Sequence, residues 1–338
     1  NSGGGAYTGG LIYAYNRAIA DTETSSSYSQ LTYSGGVFGV RSRAGHGGVL
    51  YSMADHPVVW VSWYGAVCYC NWLSEQQGLQ ACYDTATWTR YEPVRIGYRL
   101  PTEAEWERAA AWDGSRHWRY GMTSDTIDNT RANYCESGYA NPLRLTGYPY
   151  TSPVGWYNGV NPARVSAPGT LTVNATSPVG AYDMSGNVWE WCHDWYDQTY
   201  YAGGAMTNPL GPSAGSSRVL RGGSWVDSVW LTRSADRSWS GPDSRYIMVE
   251  FRVAVSSRKT PEPGFRSSPP VNAESGVSQD NVPERAARKG VTGDYRPVPA
   301  PCATMTRAWT NTEPGPGGLV AVCEGSPGPF RQRLKGEG

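Results

Sequence analysis

The chain of 338 residues has no apolar run long enough to cross a membrane as a helix. Its most apolar stretch, residues 58–73, is interrupted by Ser62 and Asn71. Net charge is also absent, because 29 basic side chains balance 29 acidic ones. The sequence therefore predicts no membrane insertion and no general attraction to nucleic acid or anionic lipid.

Several familiar site patterns are missing as well. The seven cysteines are an odd number without a CxxC pair, which argues against a zinc site and a dense disulfide framework. The four histidines are scattered, with no HxH or HExxH spacing. Neither a serine nucleophile elbow nor a phosphate-binding glycine loop occurs. Phenylalanine is scarce, at 4 residues, whereas Trp (15), Tyr (23) and Gly (41) are abundant, a composition that suits loops and recognition surfaces as well as cores.

Two helices and three regions can be predicted. Ser62 caps a helix whose apolar residues recur at helical spacing until Gly78. Thr102 and Glu105 fit a capping box that starts a second helix. We interpret residues 1–50 as a loop-rich segment of the same domain with one or two short strands, 51–255 as the domain itself with a loop insertion at about 118–178, and 256–338 as a disordered Pro/Gly-rich tail in which 319–322 is the one candidate strand.

The segment from Arg218 to Ala254 combines two kinds of residue. Gly222-Gly223 and several arginines are typical of residues that fix a loop, and we call them the frame. Glycine permits unusual backbone angles, and arginine can make forked hydrogen bonds to carbonyls or carboxylates. Short runs of chemically unrelated residues lie between them. This pattern predicts a rigid loop that presents arbitrary side chains to a ligand.

Four blocks identify a family resemblance: residues 57–63 (PVVWVSW), 98–107 (YRLPTEAEWE), 182–191 (YDMSGNVWEW) and 218–254. In this order they resemble the formylglycine-generating-enzyme (sulfatase-modifying factor) superfamily over about residues 55–255. The resemblance implies an α+β, C-type-lectin-like fold that is loop-rich, with two main helices and short antiparallel strands. Within that superfamily the alternation in 218–254 is most similar to the variable proteins of diversity-generating retroelements.

The superfamily's own reaction is the oxidation of a substrate cysteine to formylglycine by a copper-binding cysteine pair. The resemblance places that pair at Asp227 and Thr232 of this chain, and neither can replace a thiolate as a copper(I) ligand. The sequence therefore predicts a protein that is not an enzyme and requires no cofactor.

A structural calcium ion is the remaining candidate cofactor. The resemblance assigns its ligands to the side chains of Asp183 and Glu190 and the carbonyls of Gly186 and Val188, oxygen donors that suit this cation. A tight turn at Gly186-Asn187, with Glu190 bonded to backbone amides, is the alternative.

We therefore predict a non-catalytic, ligand-binding protein that displays a diversified surface for receptor recognition. Its partner would be a protein or glycan receptor on another cell or particle. That function would place the protein on a cell surface or a phage particle, and the sequence gives no other indication of its location. The alternative is a formylglycine-generating-type oxidase or another enzyme of the superfamily. Tyr246, flanked by the tryptophans Trp230 and Trp239, is the predicted anchor. The other predicted ligand-binding positions are Val226, Asp227, Ser228, Leu231, Asp236, Ser238, Ser240, Gly241, Ser244, Ile247 and Met248.

Overall fold

The structure is a computed structural model that describes residues 5–136, 141–165, 167–204 and 206–256, together with the backbone of 320–324. The chain divides into two units, of which Lys259–Pro301 lies outside the described residues. The tail predicted for 256–338 also lies outside them, apart from Ser256 and the strand at 320–324. Neither helix of the described part has the length and hydropathy needed to span a bilayer.

The two predicted helices are confirmed. Helix α1 is Trp63–Gln76, and the side chain of Ser62 accepts a hydrogen bond from the Gly65 amide. Helix α2 is Glu103–Ala111 and begins with the predicted capping box, in which Thr102 and Glu105 each accept from the other's backbone amide. Local sequence signals therefore determine both starts.

Residues 5–52 form more strands than the sequence predicted. Seven short strands replace the expected one or two, because two-residue turns with positive φ at Gly9-Gly10, Tyr15-Asn16 and Gly35-Gly36 join them into hairpins. These strands are β1 (Ala6–Thr8), β2 (Leu11–Ala14), β3 (Arg17–Asp21), β4 (Leu31–Ser34), β5 (Val37–Val40), β6 (Ser42–Ala44) and β7 (Leu50–Ser52).

The main sheet is built from the later strands. The remaining strands are β8 (Tyr83–Asp84), β9 (Thr89–Arg90), β10 (Tyr98–Arg99), β11 (Trp189–Trp195), β12 (Arg218–Arg221), β13 (Ser238–Ser240), β14 (Val249–Ser256) and β15 (Val320–Glu324). The order in the sheet is β10-β14-β11-β12-β13, with β15 also paired to β14. All its neighbours are antiparallel except β11 and β14, which are parallel. Strand β14 includes Glu250, which is buried.

The helices cover opposite faces of this sheet. Trp191 on β11 packs in the cluster that contains Trp63 of α1. The next residue, Cys192, packs in the cluster that contains Trp106 of α2. Because successive strand residues point to opposite faces, the sheet lies between the two helices. The connections β12–β13 and β13–β14, which carry the predicted ligand-binding positions, extend from this buried centre.

Candidate ligand-binding surface

Two glycines turn the chain at the end of β12. Gly222 and Gly223 have φ of 100° and 73°, which favours glycine strongly. A Cβ on Gly223 would lie 2.7 Å from the Leu231 carbonyl oxygen and 2.9 Å from Thr232 Cα. The loop that follows therefore folds back against this turn at a distance that only glycine permits.

Arginines hold the loop, as the sequence predicted. The fully buried Arg221 donates hydrogen bonds to the carbonyls of Ser234 (2.6 Å) and Asp236 (2.7 Å). It also pairs with Glu103 at 3.4 Å. Arg237 binds both oxygens of Glu103, at 2.6 and 2.8 Å. Because charge-assisted bonds to carbonyls and carboxylates are directional, the backbone of 232–237 is fixed from within the core.

The predicted ligand-binding positions differ in burial from the frame between them. The frame is buried at Gly222, Gly223, Ser224, Trp225, Thr232, Ser234 and Phe251. None of the fourteen predicted positions is buried. The exposed ones are Ser228, Trp230, Leu231, Trp239 and Tyr246. The half-buried ones are Val226, Asp227, Asp236, Ser238, Ser240, Gly241, Ser244, Ile247 and Met248.

Asp227, one of the predicted ligand-binding positions, also makes hydrogen bonds that support the fold. Its Oδ2 accepts hydrogen bonds from the Ser224 amide (3.0 Å), the Ser224 hydroxyl (2.5 Å) and the Trp189 indole (2.8 Å). Its carbonyl accepts from the Cys135 amide at 2.9 Å. The side chain therefore ties the loop to β11 through Oδ2.

Three apolar positions form the base of the surface. Val226, Ile247 and Met248 pack against a cluster that contains Trp225 and Val59. The domain itself therefore covers part of the apolar run from Tyr246 to Met248. Such positions can still contribute contact area, but their side chains also support the fold.

The predicted anchor and its two flanking tryptophans do not form one group. The hydroxyls of Ser240 and Tyr246 lie 3.4 Å apart. Trp239 alternates with Ser240 on β13 and therefore points to the other face, where it stacks on Tyr196 with ring centroids 4.5 Å apart. Trp230 is 64% exposed and lies beside Arg233, whose guanidinium carbon is 5.7 Å from the ring centroid.

The two positions of the family's cysteine pair make polar contacts within the fold. Thr232 is fully buried, and its hydroxyl donates to the Val229 carbonyl at 3.0 Å. The nearest thiol in sequence, Cys192, is fully buried, and burial raises its pKa well above the usual range. Burial likewise raises the pKa of Cys68 to about 12. These thiols are protonated at neutral pH and are poor copper ligands in that form.

The residues predicted to bind calcium are close in sequence, but three of the four donor groups already accept hydrogen bonds within the fold. Both oxygens of Glu190 accept from the buried guanidinium of Arg252, and Oε2 also accepts from the Trp106 indole at 2.6 Å. The Gly186 carbonyl accepts from the Val188 amide at 3.0 Å. Asp183 accepts from the Gly155 amide at 2.7 Å, and burial raises its pKa to about 6. As arranged, this donor set does not fit a calcium ion, since Arg252 already neutralises Glu190.

Comparison with known proteins gives the family directly. The sulfatase-modifying factor enzyme 1-like domain matches residues 13–257. The chain belongs to this family. Its two helices and short, mostly antiparallel strands confirm the expected α+β fold of the formylglycine-generating-enzyme, C-type-lectin-like type.

Two relatives that match this chain are named for different activities. The chain is 36% identical over 203 residues to serine/threonine-protein kinase Pkn1 of Chlamydia trachomatis, covering 60% of this chain and 24% of the relative. It is 34% identical to the formylglycine-generating enzyme of Streptomyces coelicolor, covering 59% and 52%. The chain therefore spans between about a quarter and about half of these relatives. Among solved structures, Treponema denticola variable protein 1 is 28% identical, with a TM-score of 0.40 and coverage of 59% of this chain and 70% of that one.

Proposed function

We propose that this member of the family is a non-catalytic binding protein whose β12–β14 segment displays a diversified surface to a receptor. The observation that carries the proposal is the separation of roles along one short segment. The residues of the Gly222-Gly223 turn, together with Thr232 and Ser234, are buried, while none of the interleaved positions is buried. A loop held in this way tolerates substitution at its outward positions because they contribute little to folding.

The contacts at Asp227 and Thr232 support the non-catalytic part of the proposal. Asp227 is tied to Trp189 and Ser224, and Thr232 is bonded to the loop backbone. A copper-binding pair would require thiolates at both positions. The proposed function needs no cofactor, and calcium in the 183–190 loop would at most be structural.

The proposed partner is a protein or glycan receptor on another cell or particle. The neutral formal charge gives no support for nucleic acid as a ligand. The displayed set that we propose is smaller than the one predicted from sequence, because Asp227 belongs to the frame and Trp239 lies on another face. Its members are Val226, Ser228, Trp230, Leu231, Asp236, Ser238, Ser240, Gly241, Ser244, Tyr246, Ile247 and Met248.

A library experiment tests this proposal. Residues Ser228, Leu231, Ser244 and Tyr246 would be randomised together, and the folded fraction of the library measured by protease resistance on a display system. A matched library would randomise Gly223, Ser224, Thr232 and Ser234 of the frame. We expect most members of the first library and few of the second to be folded. Equal losses in both libraries would overturn the proposal.

Two further measurements test the enzyme alternative and the diversification of the segment by a retroelement. Formylglycine formation in a cysteine-containing substrate peptide, assayed with added copper, would favour the enzyme alternative. In the flanking DNA we expect a near-copy of the segment encoding residues 218–254, with adenines at the displayed codons, beside a reverse transcriptase gene.

A further inference from the structure

An open cleft lies beside the displayed surface, in a region that the sequence did not single out. Its volume is about 570 Å³, and it is lined by residues 116–119, 125 and 233–235. We call it the arginine cleft, because Arg116, Arg119 and Arg233 are among its lining residues. Arg233 also contacts the exposed Trp230, so the cleft and the displayed surface are continuous.

The walls of the arginine cleft are fixed to each other. The hydroxyl of Ser234 donates to the carbonyl of Trp118 at 2.6 Å, and the Ser234 amide donates to the carbonyl of Arg119 at 2.9 Å. Asp125 accepts from the Arg119 amide at 3.0 Å. Residues far apart in sequence thus form a preorganised site, which lowers the entropy cost of binding.

The guanidinium groups of the cleft retain unused donors. Arg116 pairs with Asp125 and stacks over Trp118, at 4.0 Å from the ring centroid. Arg233 donates Nε to the Trp230 carbonyl (2.8 Å) and one terminal nitrogen to Asp236 (3.4 Å). Arg119 is exposed, and among the described residues its guanidinium makes no hydrogen bond to another group. Each arginine carries five N–H donors, so several point to no partner.

Charge is unbalanced within the lining. The lining includes three guanidinium groups and one carboxylate, that of Asp125, which pairs with Arg116. Two rim carboxylates also bind lining residues, since Asp236 pairs with Arg233 and Glu107 pairs with His117 at 3.0 Å. Among the described residues, Arg119 is the lining guanidinium that has no carboxylate partner. The lining therefore complements an anion, and arginine forks match carboxylates in particular.

We propose that the arginine cleft binds an acidic segment of a protein partner, with a Glu or Asp carboxylate placed between Arg119 and Arg233. The cleft is far larger than one ion requires, so several side chains of a peptide fit in it. Arginine and tryptophan are the residues that most often anchor protein–protein interfaces, and both are present here. The inference rests on the proposed function in one respect: the same partner would contact the displayed surface.

Peptide binding to the full chain tests the proposal. Fluorescein-labelled hexaglutamate would be titrated with the protein at low ionic strength and followed by fluorescence anisotropy, with hexaglutamine as the uncharged control. We expect saturable binding of hexaglutamate only, weakened by added salt because the contacts are exposed. Arg119→Glu is expected to weaken binding about tenfold or more, and Arg119→Lys about twofold to fivefold, since lysine keeps the charge and loses the fork.

The matched control is Arg108→Glu, which changes an exposed arginine on α2 outside the cleft. It should alter the affinity by less than about twofold. Equal weakening by Arg108→Glu and Arg119→Glu would overturn the proposal, as would binding of hexaglutamine. Binding of oligogalacturonate without binding of hexaglutamate would overturn it in favour of an acidic glycan. Circular dichroism of Arg119→Glu confirms that it folds, and none of these results depends on how well the displayed positions tolerate randomisation.

Discussion

The indole nitrogen of Trp189 donates a hydrogen bond of 2.8 Å to the carboxylate of Asp227, at the first of the two positions where the family resemblance implies a copper-binding cysteine. The same carboxylate oxygen also accepts from the amide and hydroxyl of Ser224. This position therefore carries a carboxylate in place of a thiol, and the carboxylate bonds the displayed loop to β11.

Replacing this carboxylate should destabilise the protein. Asp227→Ala leaves the Trp189 indole and the Ser224 amide without their acceptor, at a cost of about 1–3 kcal/mol in the free energy of unfolding. Ser228→Ala, at the adjacent exposed position, should change it by less than about 0.5 kcal/mol. Urea denaturation of both variants checks this. If the two variants were equally stable, Asp227 would belong to the displayed set after all.

Two glycines of the same segment should respond differently to alanine. Gly223 has φ of 73°, and its new Cβ would lie 2.7 Å from the Leu231 carbonyl. Gly223→Ala should therefore cost about 2 kcal/mol or more. At Gly241 the nearest atom to a new Cβ, Ser244 Oγ, is 3.4 Å away and φ is not positive. Gly241→Ala should be close to neutral, and thermal unfolding of the pair measures the difference.

The features that the sequence predicted correctly are those that short-range signals determine. Both helix starts follow from caps at Ser62 and Thr102, and the role of Gly222-Gly223 follows from their chemistry. The N-terminal hairpins were missed partly because Tyr15-Asn16 is not a typical glycine turn, although both residues have positive φ.

Other features depend on three-dimensional relationships that spacing does not reveal. Trp239 was grouped with Tyr246, but the register of β13 turns its ring towards Tyr196. The arginine cleft brings residues 116–119 against 233–235 across more than a hundred positions of sequence. Its only sequence signal was the dense Arg-His-Trp-Arg run at 116–119.

The buried carboxyl of Asp194 predicts a pH dependence of stability. Its Oδ2 accepts from the Glu103 amide at 2.9 Å at the start of α2, and burial raises its pKa to about 7. The pKa in the unfolded chain is near 3.9, so folding takes up a proton between these values. The contribution of this group to stability is therefore greatest below about pH 4 and is lost as the pH rises through about 7.

Asp194→Asn keeps an acceptor for the Glu103 amide and removes the titration. We expect the variant to be more stable than the parent at pH 8, by on the order of a few kcal/mol, and similar at pH 4. Asp197→Asn is the contrasting control, because hydrogen bonds from Thr199 lower the pKa of Asp197 and its stabilisation is lost as the pH falls. Urea midpoints at both pH values test the sign. If the parent protein and Asp194→Asn gained the same stability between pH 4 and pH 8, this role of Asp194 would be refuted.

The ion pair between Glu190 and Arg252 should be costly to break. Both side chains are almost completely buried, so Glu190→Gln removes the charged acceptor of two guanidinium hydrogen bonds. A loss of about 3–5 kcal/mol is expected. The exposed pair of Arg17 and Asp243 is the matched control, and Arg17→Gln should cost less than about 1 kcal/mol. The two variants can be compared by denaturant unfolding at neutral pH, and comparable losses would contradict the assignment.

The same ion pair leads to a prediction about calcium. Because Arg252 already meets the charge of Glu190, a calcium ion would have to displace a buried guanidinium to use this carboxylate. The Tm in excess calcium and in excess EDTA should therefore differ by less than about 2 °C. Asp183→Asn should leave that small difference unchanged. A Tm that rises with calcium in the parent protein, with the rise abolished by Asp183→Asn, would instead establish the cation site that the family resemblance implies and require Arg252 to move aside.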